Sequence, residues 1–232
     1  MVNKQFRVKE FGADKKKVIF FFAGMGTRIG LYRGSISKFV KNGYHVVAYD
    51  FDPLIVRNGD ADNFIAVAED ATKDVREHVT QAKAAGIKVF HTFGVSMGTL
   101  LAIKCAAEMP EISKVVINLT YGSVAENVWT WWFIKPAKKR AIEQGYTMTA
   151  LDKKLEPISP IPNAPKLKGK SVLLYLSKRD KILLFKQSSQ FREALDEAGV
   201  DYEYYENRYV GHIATGFVNF LRPKRYLDFL NS

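Results

Sequence analysis

The pentapeptide Gly94-Val95-Ser96-Met97-Gly98 holds one serine between two glycines at two-residue spacing. On a sharp turn between a strand and a helix, such a serine is presented at a sheet edge, where its Oγ can attack a carbonyl carbon. A serine alcohol is a weak nucleophile at neutral pH, so the chemistry needs a nearby base and a third group to orient that base. Of the four histidines, His45 and His91 fall inside strand-like runs, and His78 lies on a charged helix beside Arg76 and Glu77. Those places suit structural or surface roles. His212 sits in Val210-Gly211-His212-Ile213, between the last strand and a helix, and can reach back to a serine at the carboxyl edge of a sheet. Asp180, in Ser177-Lys178-Arg179-Asp180-Lys181, leaves a strand at the same edge and completes the chain order serine, acid, histidine. It could also serve as a helix cap or a solvated charge. Asp50 and Asp52, after the strand ending at Tyr49, and Glu126, after the strand ending at Leu119, are rivals, but Asp180 alone completes that order with helix-sized spacings.

The elements needed to position these groups are legible around them. Val89 to Phe93 is a β-branched and aromatic run entered through Gly86, and Thr99 to Glu108 is rich in helix formers and stops before Pro110. Strand, turn and helix therefore follow in the order the pentapeptide requires. Three helical runs end in glycine immediately before a strand, at Gly43, Gly86 and Gly199. This rhythm predicts βαβ crossovers and a mostly parallel sheet flanked by helices on both faces. Further strands are expected over Val18 to Phe22, Tyr44 to Tyr49, Lys114 to Leu119, Val172 to Leu176 and Asp201 to Tyr205, with helices near 31–42, 64–85, 97–109, 186–198 and 214–230.

Between Tyr121 and Lys166 the rhythm breaks, and one crossover helix is replaced by a longer passage that reads as a small helical lid. Ser123 and Glu126 have capping-box spacing, so a helix should start there and carry Trp129, Trp131, Trp132 and Phe133 before Pro136 interrupts it. A loop with Pro157, Pro160, Pro162 and Pro165 should follow. The aromatics either pack on the sheet edge or line an apolar pocket over Ser96, in which Gly24, Trp129 and Trp132 are the candidate lining residues.

The 232 residues suit a single α/β domain, and 47% hydrophobic with 13% aromatic residues excludes a disordered chain. Cys105 is the one cysteine, placed on the apolar helix after Ser96 as a small buried residue. No apolar run approaches the length that spans a bilayer, and the run Val18 to Ala23 is short, so the expected location is cytoplasmic. Net charge is +11, from 35 Lys and Arg against 24 Asp and Glu, dispersed over groups such as Lys15 to Lys17, Lys138 to Arg140 and Arg222 to Arg225. None is joined to a nucleic-acid module. The basic surface does suit an acidic carrier protein as a partner.

With these residues in place, the chain resembles the α/β-hydrolase superfamily from Val18 to the last helix. The resemblance rests on the turn at 94–98, Asp180 in its loop, and Gly211-His212. It implies a second turn after the first core strand, matched by Phe22-Ala23-Gly24-Met25-Gly26, where Ala23 replaces the family's histidine. By carry-over the backbone amides of Met25 and Met97 would form an oxyanion hole. Few residues precede Val18, so the family's opening antiparallel strands reduce to one near Phe6 to Phe11. The implied activity is hydrolysis of an ester or thioester of a small acyl substrate by Ser96, His212 and Asp180, with no metal or cofactor. The alternative is a binding protein or scaffold on the same fold.

Overall fold

A computed structural model describes residues 5–57, 60–131 and 134–232. Seven strands form one sheet: β1 (Phe6–Phe11), β2 (Lys17–Phe22), β3 (Tyr44–Phe51), β4 (Val89–Val95), β5 (Ile112–Asn118), β6 (Ser171–Ser177) and β7 (Asp201–Asn207). Their order is β1-β3-β2-β4-β5-β6-β7. All neighbours run parallel except β1, which pairs antiparallel with β3. This is the mostly parallel sheet the glycine rhythm predicts, with the single antiparallel edge strand where Phe6 to Phe11 was expected.

The principal helices are α1 (Arg33–Lys41), α2 (Leu54–Arg57), α3 (Ala61–Ala84), α4 (Gly98–Glu108), α5 (Val124–Thr130), α6 (Lys135–Glu143), α7 (Met148–Leu155), α8 (Pro160–Asn163), α9 (Phe185–Glu197), α10 (His212–Phe220) and α11 (Pro223–Asn231). β2 shows why both sheet faces must be covered. Val18, Phe20 and Phe22 enter the core shared with α3, α4, α7 and α9, while Ile19 and Phe21 enter the core shared with α1 and α11. Alternation along a strand sends successive side chains to opposite faces, so a continuous apolar run needs two apolar partners. Each fully buried Phe contributes roughly 1.5–3 kcal/mol, which anchors the strand that leads into the Gly24 turn.

Three expectations from the sequence are corrected. The helix expected over 214–230 is two helices, because Pro223 has no amide to continue the ladder of α10 and instead opens α11. The lid passage is also more broken than expected. Ser123 Oγ accepts from the Glu126 amide at 3.0 Å and starts α5, but α5 ends at Thr130, with Trp131 extended at φ −84° and ψ 114°. Pro136 then lies in the first turn of α6 rather than interrupting a helix. The proline segment is not a loop: 3-10 turns at Glu156–Ile158 and Ala164–Leu167 flank α8, each beginning near a proline whose fixed φ suits a helical first turn.

Candidate active site

The turn between β4 and α4 is strained where the chemistry would occur. Ser96 adopts φ +50°, a conformation non-glycine residues rarely take, and its amide donates to the Asn118 carbonyl at the end of β5. The Thr99 hydroxyl and amide both donate to the Ser96 carbonyl, at 2.6 and 2.9 Å. The flanking glycines are required by contact. A Cβ on Gly94 would lie 2.5 Å from Thr99 Cα, and one on Gly98 would lie 2.3 Å from the Phe22 carbonyl oxygen. The G-x-S-x-G spacing is therefore the imprint of helix α4 crossing the ends of β4 and β2 at van der Waals limits.

His212 opens α10 directly after the Gly211 cap, and its Nε2 lies 2.9 Å from Ser96 Oγ. Its Nδ1 lies 2.6 Å from Asp180 Oδ2. A carboxylate only accepts, so Nδ1 carries the proton and Nε2 is left to accept from the serine. The other oxygen, Asp180 Oδ1, accepts from the amides of Ile182 and Leu183, both at 2.8 Å. The cap and histidine-partner readings of Asp180 thus coexist, one on each oxygen. The side chains of Asp180 and His212 are 4% and 10% exposed, so the hydrogen bond between them is shielded from water. Ser177 Oγ donates to the Val210 carbonyl at 2.7 Å, tying the Asp180 loop to the His212 loop.

The rivals are occupied elsewhere. Asp52 Oδ1 accepts from the Leu54 amide, and Glu126 belongs to the first turn of α5. Asp50 is buried and accepts from Arg7 Nε and Nη2, each at 2.8 Å, and from the Ile29 amide at 2.9 Å. Burial alone would raise its carboxyl, but Arg7, the Ile29 amide and Arg28 outweigh it and hold it below the usual range. Asp50 thereby pins the segment that follows the Gly24 turn. His45 meets Glu10, His78 meets Asp74, and His91 is buried in β4, as their surroundings in the sequence imply.

The Gly24–Gly26 turn lies beside the serine, with the Cβ position of Gly24 3.5 Å from Ser96 Cβ. Tyr32 closes it: its hydroxyl accepts from the Gly24 amide at 3.3 Å and sits 2.9 Å from Thr27 Oγ1, which donates to the Gly24 carbonyl at 2.6 Å. Burial raises the Tyr32 phenol, so it stays protonated in this cluster. Among the described residues, no backbone carbonyl engages the amide of Met25 or of Met97.

A cavity of about 570 Å³ opens over Ser96 and His212, lined largely by Gly24, Met25, Trp131, Ile213, Phe217 and Phe220. Gly24 is where the sequence reading put it. Trp129 is not: its ring faces the core and lies under Lys138 Nζ, 5.7 Å from the ring centroid. Trp131 lines the cavity instead, because α5 has ended and the chain is extended by then, turning that side chain away from the direction helical spacing implies. Trp132 and Phe133 lie outside the described residues. A second, smaller apolar slot of about 50 Å³ behind Trp131 is lined by Met97, Leu100, Tyr121, Val124, Leu151 and Leu155. The contributions of Tyr32, Asp50 and Trp131 were not read from the sequence. The spacing of Ile213 and Phe217, one helical turn apart on the helix opened by His212, places them on one face but does not say that the face meets the cavity.

The serine aminopeptidase S33 family model matches residues 13–142, more than half of the chain. The chain belongs to that family of α/β-hydrolases. Human protein ABHD8 is 30% identical over 118 residues, which cover 48% of this chain. The match spans only 25% of that relative's own length. Among solved structures, Pyrococcus horikoshii acylaminoacyl peptidase superposes with a TM-score of 0.70 at 15% identity, covering 94% of this chain and 37% of that one. Pyrococcus furiosus esterase gives 0.67 at 18% identity over 97% and 91% of the two chains. Acetyl xylan esterase 1 from Thermoanaerobacterium gives 0.67 at 18% identity over 94% and 76%. These likenesses establish the α/β-hydrolase fold, and the family membership makes the protein a member of a hydrolase family. Among the described residues no helix is long and apolar enough to cross a membrane, and no group of three or more His, Cys, Asp and Glu side chains is arranged around a metal position.

Proposed function

We propose that the protein is a serine hydrolase that cleaves an ester or thioester of an acyl substrate through a covalent acyl-enzyme. The observation that carries this reading is the continuous hydrogen-bonded chain from Ser96 Oγ through His212 to Asp180. Ser96 Oγ attacks the acyl carbon while its proton passes to His212 Nε2, and Asp180 stabilises the resulting imidazolium. The oxyanion is held by the amides of Met25 and Met97. Collapse expels the alcohol or thiol, which takes the proton from His212. Water then attacks the acyl-enzyme with His212 as base, releasing the acid and restoring the serine. One oxyanion donor of this kind is worth roughly 3 kcal/mol of barrier, so the Gly24 turn matters without supplying a catalytic side chain.

The apolar lining of the cavity supports an acyl group on the substrate's reacting side, and segment 121–166 acts as its cap through Trp131. The expected outcome of Ser96→Ala is loss of p-nitrophenyl ester turnover by a factor on the order of 10⁴–10⁶ with an unchanged melting curve. A fluorophosphonate probe should label the parent chain at Ser96 and leave the variant unlabelled. Parent chain that neither labels nor turns over esters would make the protein a binding scaffold. Undiminished turnover by Ser96→Ala would remove the assignment of the nucleophile.

A further inference from the structure

Among the described residues, nine large apolar side chains are exposed, and six of them (Leu31, Leu184, Tyr209, Ile213, Phe217 and Leu221) lie in three segments around the mouth of the Ser96 cavity. These segments, 24–33, 177–184 and 208–224, leave the carboxyl ends of β2, β6 and β7. Ile213, Phe217 and Leu221 are four residues apart and are 67%, 50% and 78% exposed, so the helix that begins with His212 turns an apolar stripe to solvent. Leu31, Ile213 and Phe217 also line the cavity. The apolar surface is therefore continuous from the outer rim to the serine.

The same three segments are strongly basic. Arg33, Lys178, Arg179, Lys181, Arg222 and Lys224 are all exposed, and among the described residues none has a carboxylate at ion-pair distance. The one acid in these segments, Asp180, is buried against His212. Asp52, Asp60 and Glu126, acids of the neighbouring loops, follow β3 and β5, and Glu203 and Asp228 share a groove with Leu221, Arg222 and Lys224 without an ion pair to either cation. Exposed apolar side chains set among unpaired cations match a surface with an apolar interior and an anionic face. We propose that this rim docks on an anionic lipid surface, with the Ser96 cavity opening toward it. Side chains spread over three segments suit a fluid layer that yields to each of them, whereas a folded acidic protein must match their relief. The docking does not rest on the hydrolase reading; only delivery of an acyl substrate from the layer does.

The test is co-sedimentation with vesicles of phosphatidylcholine alone or mixed with phosphatidylglycerol. Using the Ser96→Ala chain keeps the result independent of catalysis. Binding to the mixed vesicles should exceed that to the neutral ones by about tenfold or more and weaken as salt is raised. Leu221→Asp combined with Arg222→Glu and Lys224→Glu should reduce it about tenfold. In the Ser96 background, the same three substitutions should leave the melting curve and turnover of a water-soluble p-nitrophenyl ester unchanged. Absence of vesicle binding, equal binding to both compositions, or binding unaltered by the triple substitution would each overturn the proposal. So would binding of a purified acidic acyl carrier protein without binding of vesicles.

Discussion

Asp180 shows how much chemistry one side chain can carry. Its two oxygens serve different masters: Oδ1 holds the amides of Ile182 and Leu183, and Oδ2 faces His212 Nδ1. Asp180→Asn would keep a carbonyl oxygen for the two amides and turn its NH2 toward His212. The imidazole would then have to accept at Nδ1 and carry its proton on Nε2, where it cannot receive another from Ser96. The expected result is a fall in kcat of roughly 10³–10⁴-fold with stability nearly unchanged. Steady-state kinetics alongside thermal melting check both halves. Cys105 contrasts with these residues. Burial pushes its thiol up to about 12, so it behaves as the apolar residue its neighbours imply.

At the scale of elements, the site depends on how closely α4 approaches two strand ends. Gly98→Ala would place a Cβ 2.3 Å from the Phe22 carbonyl, at the end of the strand that enters the Gly24 turn. Neither partner is the end of a flexible side chain, so α4 and β2 must separate. A loss of about 1–3 kcal/mol is expected from overpacking, together with slowed fluorophosphonate labelling as the Met25 and Met97 amides move apart. Gly34→Ala is the control: it lies in α1 with nothing within 4 Å of its Cβ position, and should raise stability by about 0.5–1 kcal/mol. Urea melts of both variants, read beside labelling rates, separate a general glycine effect from the contact at Gly98. The joint between β5 and α10 is a second such constraint. Asn219 on α10 donates to Asn118 Oδ1 at 2.8 Å, and the Asn118 carbonyl receives the Ser96 amide. The helix that begins with His212 is thus tied to the strand that holds the serine turn.

For the whole molecule, the buried histidine outside the site sets a pH dependence. His91 in β4 is buried, packs near Tyr44 and Lys114, and is 3.2 Å from Ser113 Oγ through Nδ1. Burial, reinforced by Lys114, pushes it down to about 4. The unfolded chain takes up this proton near pH 6.5 and the folded chain only near 4, so between those values the unfolded state binds more protons. Stability should therefore fall as pH drops from 6.5 toward 4, by up to about 3 kcal/mol from this group. Urea denaturation across that window should show a shallower slope for His91→Gln than for the parent, and identical slopes would contradict the assignment.

Local chemistry made much of this protein readable. The apolar runs, the glycines closing helices, and the spacing of Gly94, Ser96 and Gly98 report constraints that act within a few residues, so strands, crossovers and the serine turn follow from them. Ser96, His212 and Asp180 were nameable because each leaves a strand at the same sheet edge. What the sequence could not supply is set by contacts between distant segments. Asp50 is pinned by Arg7 from another strand, and Tyr32 closes a turn across eight residues. Trp131 rather than Trp129 reaches the cavity because α5 stops one residue earlier, a difference periodicity does not encode. The outward stripe of α10 was equally hidden. An apolar face four residues apart ordinarily reads as core, and only the packed molecule decides which face of a helix is left to solvent.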